Sequence, residues 1–385
     1  MRNFRLLVHS TRCAVRENTA RELLNSAKAP MSRGPRGKHA GTASSATRRV
    51  TIHDVARLAG VSVGTVSNVL NNPDIVASAT RERVLDAIKR TDFVRSEAAH
   101  QLRVGKSRTI GVVVLDIANP FFTEMVRGAE HVLREQGYVL MLCSSDESAE
   151  REQRYVHVLE EHRVDGLLIT PVARDLTSIA LLAAHGIPTV LLDREGSEYG
   201  LCSVTVDDVL GGELAASHLL QLGHETIAFV NGPITIEQCA DRQEGALRAV
   251  RKERRRASAT LNEIAVPALT EENGEGAVAQ FLAAPTRPTA VMCANDLLAL
   301  GVLRGLAHAG IAVPDDIAVV GYDDIEFASM LSPALTSVRQ PKYELGAAAA
   351  ELLLEETLGS PHEHREVRFE PQLIVRASST RPSGS

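Results

Sequence analysis

The chain has 385 residues and is 44% hydrophobic, enough for two or three globular units, yet it lacks Trp and has only 3% aromatics. Its cores must therefore be built from Val, Leu, Ile and Ala. The net charge of −6 is uneven: residues 1–49 carry 11 Lys/Arg against 2 Asp/Glu, residues 50–106 carry 8 against 6, and the remainder 23 against 40. A basic front on an acidic body points to a nucleic-acid-facing N-terminus, although a basic disordered tail gives the same count. The five cysteines include no C-x-x-C pair, which argues against a disulfide framework or a zinc site and fits a reducing cytosol. No apolar run approaches the ~20 residues that span a bilayer, and the first thirty residues lack the apolar stretch of a secretory signal.

Residues 1–49 show no sustained periodicity and end in a Gly/Ser/Thr/Ala/Arg-rich stretch, read as a basic, disordered extension; Met31 offers an internal start. From Thr51 the texture changes to short capped helices. Thr51 with Asp54 is an N-cap signal for a helix over His53–Ala59 whose inner face would be Val55, Leu58 and Ala59. Gly60 interrupts it, and Ser62 caps a second helix with Val66, Val69 and Leu70 on one side, ended by Asn71-Asn72-Pro73. Ser78 is placed as the cap of a third helix with Val84, Leu85 and Ile88 inward, and Ser96–Arg103 reads as a fourth.

After Lys106 the pattern alternates. Thr109–Leu115, Tyr138–Cys143, Gly166–Thr170, Thr189–Asp193, Thr226–Asn231, Ala290–Ala294 and Ile317–Tyr322 read as strands. Helices over Phe121–Gln136, Gly211–Leu222, Cys239–Arg251 and Leu297–Ala309 lie between them. Strands spaced by helices imply parallel sheets covered on both faces, and the run is too long for one sheet. Two subdomains are expected, with a ligand cleft at the carboxyl ends of the strands.

Gly60-Val61-Ser62-Val63-Gly64 also matches G-x-S-x-G, the elbow that exposes a hydrolase serine. That motif needs a strand before it, whereas the preceding residues read as a helix, so Ser62 is better read as a cap and no catalytic residue is assigned.

Val50–Asn71, VTIHDVARLAGVSVGTVSNVLN, resembles the helix-turn-helix of the lactose-repressor (LacI/GalR) family. NPFF (Asn119–Phe122), GLLIT (Gly166–Thr170), HLLQLGH (His218–His224), CANDLLALG (Cys293–Gly301), VPDDIAVVGYDD (Val313–Asp324) and LTSVRQP (Leu335–Pro341) follow in the family's order, so the likeness covers about Val50–Thr380. It implies an N-terminal all-α helix-turn-helix headpiece plus an α/β two-lobed core of parallel sheets, periplasmic-binding-protein-like. The divisions are a basic extension over 1–49, the headpiece over 50–95, a hinge helix and linker over 96–106, the effector-binding and dimerisation core over 107–380, and a tail over 381–385. Within the core, the first lobe takes about 107–206 and 340–370, and the second about 207–337 and 371–380. The chain would cross near Val206–Asp208, Ser337–Pro341 and Glu370–Pro371.

By the same resemblance the recognition helix is Val63–Asn71, with Val63, Gly64 and Asn68 facing the major groove. Asn pairs bidentately with adenine and Val meets only a thymine methyl, so this helix reads sparingly. Thr51, His53, Thr65, Ser67, Asn71, Ser78 and Thr80 fall where phosphate contacts or caps belong; capping by Thr51 or Ser78 does not exclude a phosphate contact. Leu102 on the hinge helix would be the wedge inserted into the minor groove at the operator's centre, or else an ordinary core residue. Arg95-Ser96 stands where the family commonly has Pro-Asn.

In the cleft, Phe121 or Phe122 could stack on a ligand face while the other is core. Arg242, Asn295 and Asp323 fall where the family places polar effector contacts, beside Asp296. Asp193-Arg194 is either a further contact or a solvated strand end. The expected function is a DNA-binding transcriptional repressor, a cytoplasmic, nucleoid-associated homodimer on a palindromic operator. Its affinity would be controlled by a small effector, a sugar as the resemblance implies, with a purine or nucleoside corepressor as the alternative. Arg and Asp suit vicinal hydroxyls, but Arg also suits a phosphate or carboxylate. Neither cofactor nor metal is expected, nor a membrane partner. A solute-binding protein is the competing reading from another class.

Overall fold

The computed structural model describes residues 50–93, 107–253, 259–359 and 362–380, and the chain divides into two compact units at Val94/Arg95. The expected hinge helix with Leu102, the basic extension and the tail lie outside the described residues.

The described residues of the first unit form three helices, α1 (Ile52–Ala59), α2 (Val63–Asn71) and α3 (Ser78–Thr91), with a 3₁₀ turn at Pro73–Ile75. The Asp54 carboxylate accepts from both the Thr51 N–H (3.0 Å) and the Thr51 hydroxyl (2.7 Å), closing the start of α1. Gly60 ends it in the left-handed region, φ 66°, where a side chain would be strained. Ser62 caps α2, accepting from Thr65 N–H at 3.1 Å. At α3 the structure corrects the sequence reading: Ser78 is the first helical residue, Ala77 takes the N-cap position, and no side chain caps it. Two core assignments change as well. Leu58 and Leu85 are 43% and 50% exposed, and the small Ala56 and Ala87 are buried instead, with Val55, Val66, Val69 and Val84. Short helices converging on a small core meet through Ala faces, where backbones approach closely.

The second unit holds two six-stranded sheets. One, ordered β11-β5-β4-β3-β1-β2, comprises β1 (Thr109–Val114), β2 (Val139–Ser144), β3 (Gly166–Ile169), β4 (Thr189–Leu192), β5 (Cys202–Val206) and β11 (Glu366–Phe369), all parallel. The other, ordered β12-β10-β9-β8-β6-β7, comprises β6 (Thr226–Asn231), β7 (Thr260–Ala265), β8 (Ala290–Cys293), β9 (Ala318–Asp323), β10 (Thr336–Arg339) and β12 (Gln372–Ile374). Only β12 runs antiparallel to its neighbour among these described strands. Central strands are buried along their length, as sheets covered on both faces require. The chain passes between sheets after Val206, after Arg339 and between Phe369 and Gln372.

Helices α4 (Pro120–Glu135), α5 (Ala149–Glu161), α6 (Thr177–Ala184) and α11 (Lys342–Thr357) accompany the first sheet; α7 (Asp208–Gln221), α8 (Glu237–Glu253), α9 (Glu271–Leu282) and α10 (Asp296–His308) accompany the second. Helices α7 and α8 touch backbone to backbone: a Cβ on Gly212 would lie 2.1 Å from the Arg242 carbonyl oxygen, and one on Gly245 2.0 Å from that of Val209. Gly128 and Gly346 make the same reciprocal contact between α4 and α11. This closeness seats Arg242 against the start of α7, where the first crossover delivers Asp208.

Candidate functional site

In the headpiece, Val66 and Val69 of α2 face the core, which leaves Gly64 and Asn68 exposed one turn apart and Val63 and Ser67 half-buried beside them. A Cβ on Gly64 would meet only Ser62 Oγ at 3.6 Å, so the bare backbone there is an open patch rather than a packing requirement. Thr65 is held by Ser62, hydroxyl to hydroxyl at 2.9 Å, and Asn71 donates to the Ser67 carbonyl (2.6 Å) and lies 3.2 Å from its hydroxyl. His53, Thr51 and Ser78 are exposed and Thr80 is half-buried. Ser62, with its hydroxyl committed to capping α2 and a helix before it, has none of the strand-elbow geometry of a nucleophile.

In the core unit the loops at the carboxyl ends of β4, β9 and β1 bring charged groups together with the starts of α7 and α8. Arg242, 4% exposed, is their hub. Its Nε donates to Asp208 Oδ1 (2.7 Å), its Nη1 donates to the Ala294 carbonyl (2.7 Å) and stands 4.0 Å from Asp323 Oδ1, and its guanidinium carbon lies 3.8 Å above the Tyr322 ring. Asp323 also accepts from Gln340 Nε2 (2.7 Å) and, more weakly, from Asn119 Nδ2 (3.4 Å), a contact from the first lobe to the second. Lys342 Nζ donates to the carbonyls of Asp323 (2.9 Å) and Asp324 (2.8 Å). Asp193, at the end of β4, accepts from Gln238 Nε2 on α8 at 3.0 Å, again across the lobes, and Arg194 pairs with Glu237 beside it.

Asp193 and Asp323 sit at φ 55° and 108°. Non-Gly residues adopt that region at a cost, and such strain gathers at ligand sites. Asp193 is buried within this network, not a solvated strand end. Asn295 is the N-cap of α10, accepting from Leu298 N–H (2.9 Å) and donating to the Leu269 carbonyl (3.2 Å). Asp296 is buried and committed to the Ser337 hydroxyl (2.7 Å) and the Ile325 N–H (2.9 Å). Both phenylalanines are core: Phe121 and Phe122 are 2% and 7% exposed, packed edge to face at 5.0 Å in a cluster that includes Ile236, Leu297 and Ile325 of the second lobe. That cluster joins the two lobes, so both rings pack where the lobes meet; helix α4 turns them there from Asn119, which caps it.

Sequence reasoning missed Asp208, Gln238, Asn119, Gln340 and Lys342. Gln238 lies four residues before Arg242 on α8, on the same face, which was a legible signal. Asn119 stood in the quoted NPFF motif. Nothing in the sequence distinguished Asp208 from the acids around it.

Burial pushes the Asp193 carboxyl up to about 7, with Asp208 adding to the rise and Arg242 opposing it. Burial likewise raises Asp323 and, far more, Asp296. Burial works against the charge on Arg242, but Asp208 and Asp323 outweigh it and hold the guanidinium firmly protonated. The folded state keeps the Asp193 proton up to about pH 7, whereas an unfolded chain releases it near 4. Between those values the unfolded state binds fewer protons, so this group makes stability fall as pH rises across the window. Asp193→Asn, which stays neutral, should shrink the loss of melting temperature between about pH 5 and pH 8 relative to wild type; an unchanged pH slope in calorimetry would sink the assignment.

An exposed helix face on a capped two-helix turn, and two sheets enclosing a buried charged network at their strand ends, can be set beside known proteins. Residues 51–96 match the profile described as bacterial regulatory proteins, lacI family, and residues 216–379 match the periplasmic binding protein-like domain. Proteins named HTH-type transcriptional repressor PurR from Photobacterium profundum and Vibrio cholerae serotype O1 are 37% and 39% identical over 332 residues, covering 85% of this chain and 98% and 97% of theirs. The lac repressor dimer bound to operator and the anti-inducer ONPF superimposes with a TM-score of 0.74 at 28% identity, covering 86% of this chain and 99% of that one. A LacI family transcriptional regulator from Enterococcus faecium with bound ribose gives 0.64 at 36% identity, covering 70% and 98%. Near-complete coverage of the repressors, headpiece and core alike, leads to one conclusion: this chain belongs to the lacI family of bacterial regulatory proteins and is a ligand-regulated, DNA-binding transcriptional repressor.

Proposed function

We propose that the effector is a neutral polyhydroxylated molecule, a monosaccharide of the ribose class, whose binding releases the operator. The carrying observation is that Arg242, the cation at the centre of the cleft, is already matched by Asp208 and Asp323. The groups around it are carboxyls and amides, Asp193, Gln238 and Asn119 among them, which suit the hydroxyls of a neutral ligand. The rings nearby are already engaged, Phe121 and Phe122 edge to face and Tyr322 with Arg242 over one face, which favours hydroxyl contacts over purine stacking. The solved relatives from Enterococcus faecium and Enterococcus faecalis V583 carry ribose at 36% and 35% identity. The second reading, a purine corepressor, is favoured by the relatives named PurR.

Asp193, Arg242 and Asp323 would meet the ligand, with Arg194, Asn295 and Asp296 holding the loops that present them. Gly64, Val63 and Asn68 would face base edges, Leu102 would enter the minor groove, and Thr51, His53, Thr65, Ser67, Asn71, Ser78 and Thr80 would set the register on phosphates. The protein acts in the cytoplasm as a homodimer on a palindromic operator, without catalysing a reaction; among the described residues no helix is long and apolar enough to cross a membrane. Support for the dimer comes from β2, an edge strand exposing Val139, Met141 and Leu142. A thermal-shift screen of the full chain against ribose, cellobiose, a sugar phosphate, hypoxanthine and guanine decides between the readings. A ligand at about 100 times its Kd adds about 2.7 kcal/mol, several degrees. Ribose alone should shift the transition and weaken operator retention, whereas a shift with a purine only would transfer the conclusion to the second reading.

A further inference from the structure

Away from the cleft, at the other end of α11, four side chains from three places in the sequence converge: Cys202 opening β5, Glu356 in the last turn of α11, and His362 and His364 before β11. Cys202 Sγ lies 2.9 Å from His362 Nε2 and 3.8 Å from His364 Nδ1. Glu356 Oε1 lies 3.3 Å from His362 Nε2 and 3.5 Å from His364 Nδ1, buried and without a well-aligned donor. All four ligand atoms fall within 4.8 Å of one another.

We propose that Cys202, Glu356, His362 and His364 form a binding site for a divalent transition metal, Zn²⁺ by the softness and geometry of the set. A tetrahedral Zn²⁺ with bonds of about 2.0–2.3 Å separates its ligand atoms by about 3.3–3.8 Å. The spacings of 3.3, 3.5 and 3.8 Å fall in that range, and the Cys202–His362 pair at 2.9 Å would open slightly to admit the ion. One thiolate, two imidazoles and one carboxylate suit Zn²⁺ over Ca²⁺ or Mg²⁺, which take oxygen ligands. The surroundings are those of an oriented site. His362 turns its other nitrogen, Nδ1, to Glu355 Oε2 at 3.1 Å, leaving Nε2 for the metal, and Glu355 is itself gripped by both Arg365 guanidinium nitrogens at 2.9 and 2.7 Å. The Arg365 N–H points to Cys202 Sγ at 3.4 Å. His362 is nearly buried while His364 is half-exposed, giving the ion a route from solvent. On binding, the Cys202 thiol proton leaves to solvent and sulfur takes the metal bond. The ion would tie β5, α11 and the entry to β11 into one knot, stiffening the first lobe from the end of α11 opposite Lys342.

The test is a competitive titration of the chelator-stripped full chain with Zn²⁺, together with absorption spectra of the Co²⁺-loaded chain. One tightly held ion per chain is expected, and Co²⁺ should show a thiolate charge-transfer band with intense tetrahedral visible bands. Cys202→Ser should lose the charge-transfer band, while Cys143→Ser, at a half-buried thiol elsewhere, should keep it. His364→Gln, at the exposed edge where folding is not at risk, should weaken Zn²⁺ by at least about 10-fold. Absence of stoichiometric Zn²⁺ in the wild type overturns the proposal, as does wild-type affinity in His364→Gln or a charge-transfer band that survives in Cys202→Ser.

Discussion

Arg242→Met is expected to destabilise the core by about 3–5 kcal/mol, the loss typical when one partner of a buried ion pair is removed. For a unit of this size that corresponds to a fall in melting temperature on the order of 10 °C. The substitution keeps much of the side chain's length and apolar packing but leaves Asp208 and Asp323 without the guanidinium that stands 2.7 and 4.0 Å away. It also removes the cation from the Tyr322 face and the donor from the Ala294 carbonyl. The stranded carboxyls should respond by taking up protons, so the defect should be smaller at acid pH. Adding Asp208→Asn should recover part of the loss, because the two residues act as a coupled pair and their effects should not add. Effector response is expected to vanish in Arg242→Met even below its own melting point. Calorimetry of the single and double variants checks the first claim and operator retention with and without ribose checks the second. A melting temperature within about 2 °C of wild type would remove Arg242 from the centre of the network.

Val66→Asp should abolish specific operator binding while leaving effector binding in the core intact. Val66 is fully buried in a headpiece whose core is seven small side chains. A domain of that size keeps roughly 2–7 kcal/mol of stability at typical per-residue values. An unpaired carboxylate buried there costs several kcal/mol, enough to unfold it. The recognition helix then has nothing to hold it, and operator affinity should drop toward the non-specific level, about 10³-fold or more. Because the headpiece and the core are separate compact units, the core's thermal transition should be retained. Footprinting and calorimetry on the same full-length variant provide the check; wild-type protection of the operator by Val66→Asp would contradict the packing described for α2.

Much of the fold is readable in the sequence because local signals are strong. Thr51 with Asp54 and Ser62 before Thr65 each carry a side chain that satisfies a helix's first N–H groups, and such pairs are visible as residue types at fixed spacing. Most central strands are visible as apolar runs because both their faces are covered; β5 and β10 are also interior and buried, but Ser and Thr interrupt their runs. The strands that sequence reasoning missed are β5, β7, β10, β11 and β12. Edge strands such as β7 and β11 alternate exposed and half-buried residues, so TLNEIA and EVRF carry no apolar run. Ser78, Leu58 and Leu85 depart from their sequence reading for a related reason: residue type marks them as cap or core, but the angle at which three short helices meet turns them outward and brings Ala56 and Ala87 in.

Residue order alone thus established a capped helix-turn-helix followed by two wound parallel sheets, since caps, turns and periodicity depend only on near neighbours; the family followed from the resemblance of the ordered motifs. It could not say which of many acids are buried, which cation each one faces, or that both Phe121 and Phe122 pack against the second lobe. Asp193, Asp208, Arg242 and Asp323 become one electrostatic unit only because the crossovers and the glycine-tight α7–α8 contact carry them out of water together. The same holds for Cys202 and the His362–His364 pair, whose cysteine spacing argued against a zinc site until α11 and β11 folded back onto β5. Charge and ligation energies are set by distance and burial, and both belong to the tertiary structure.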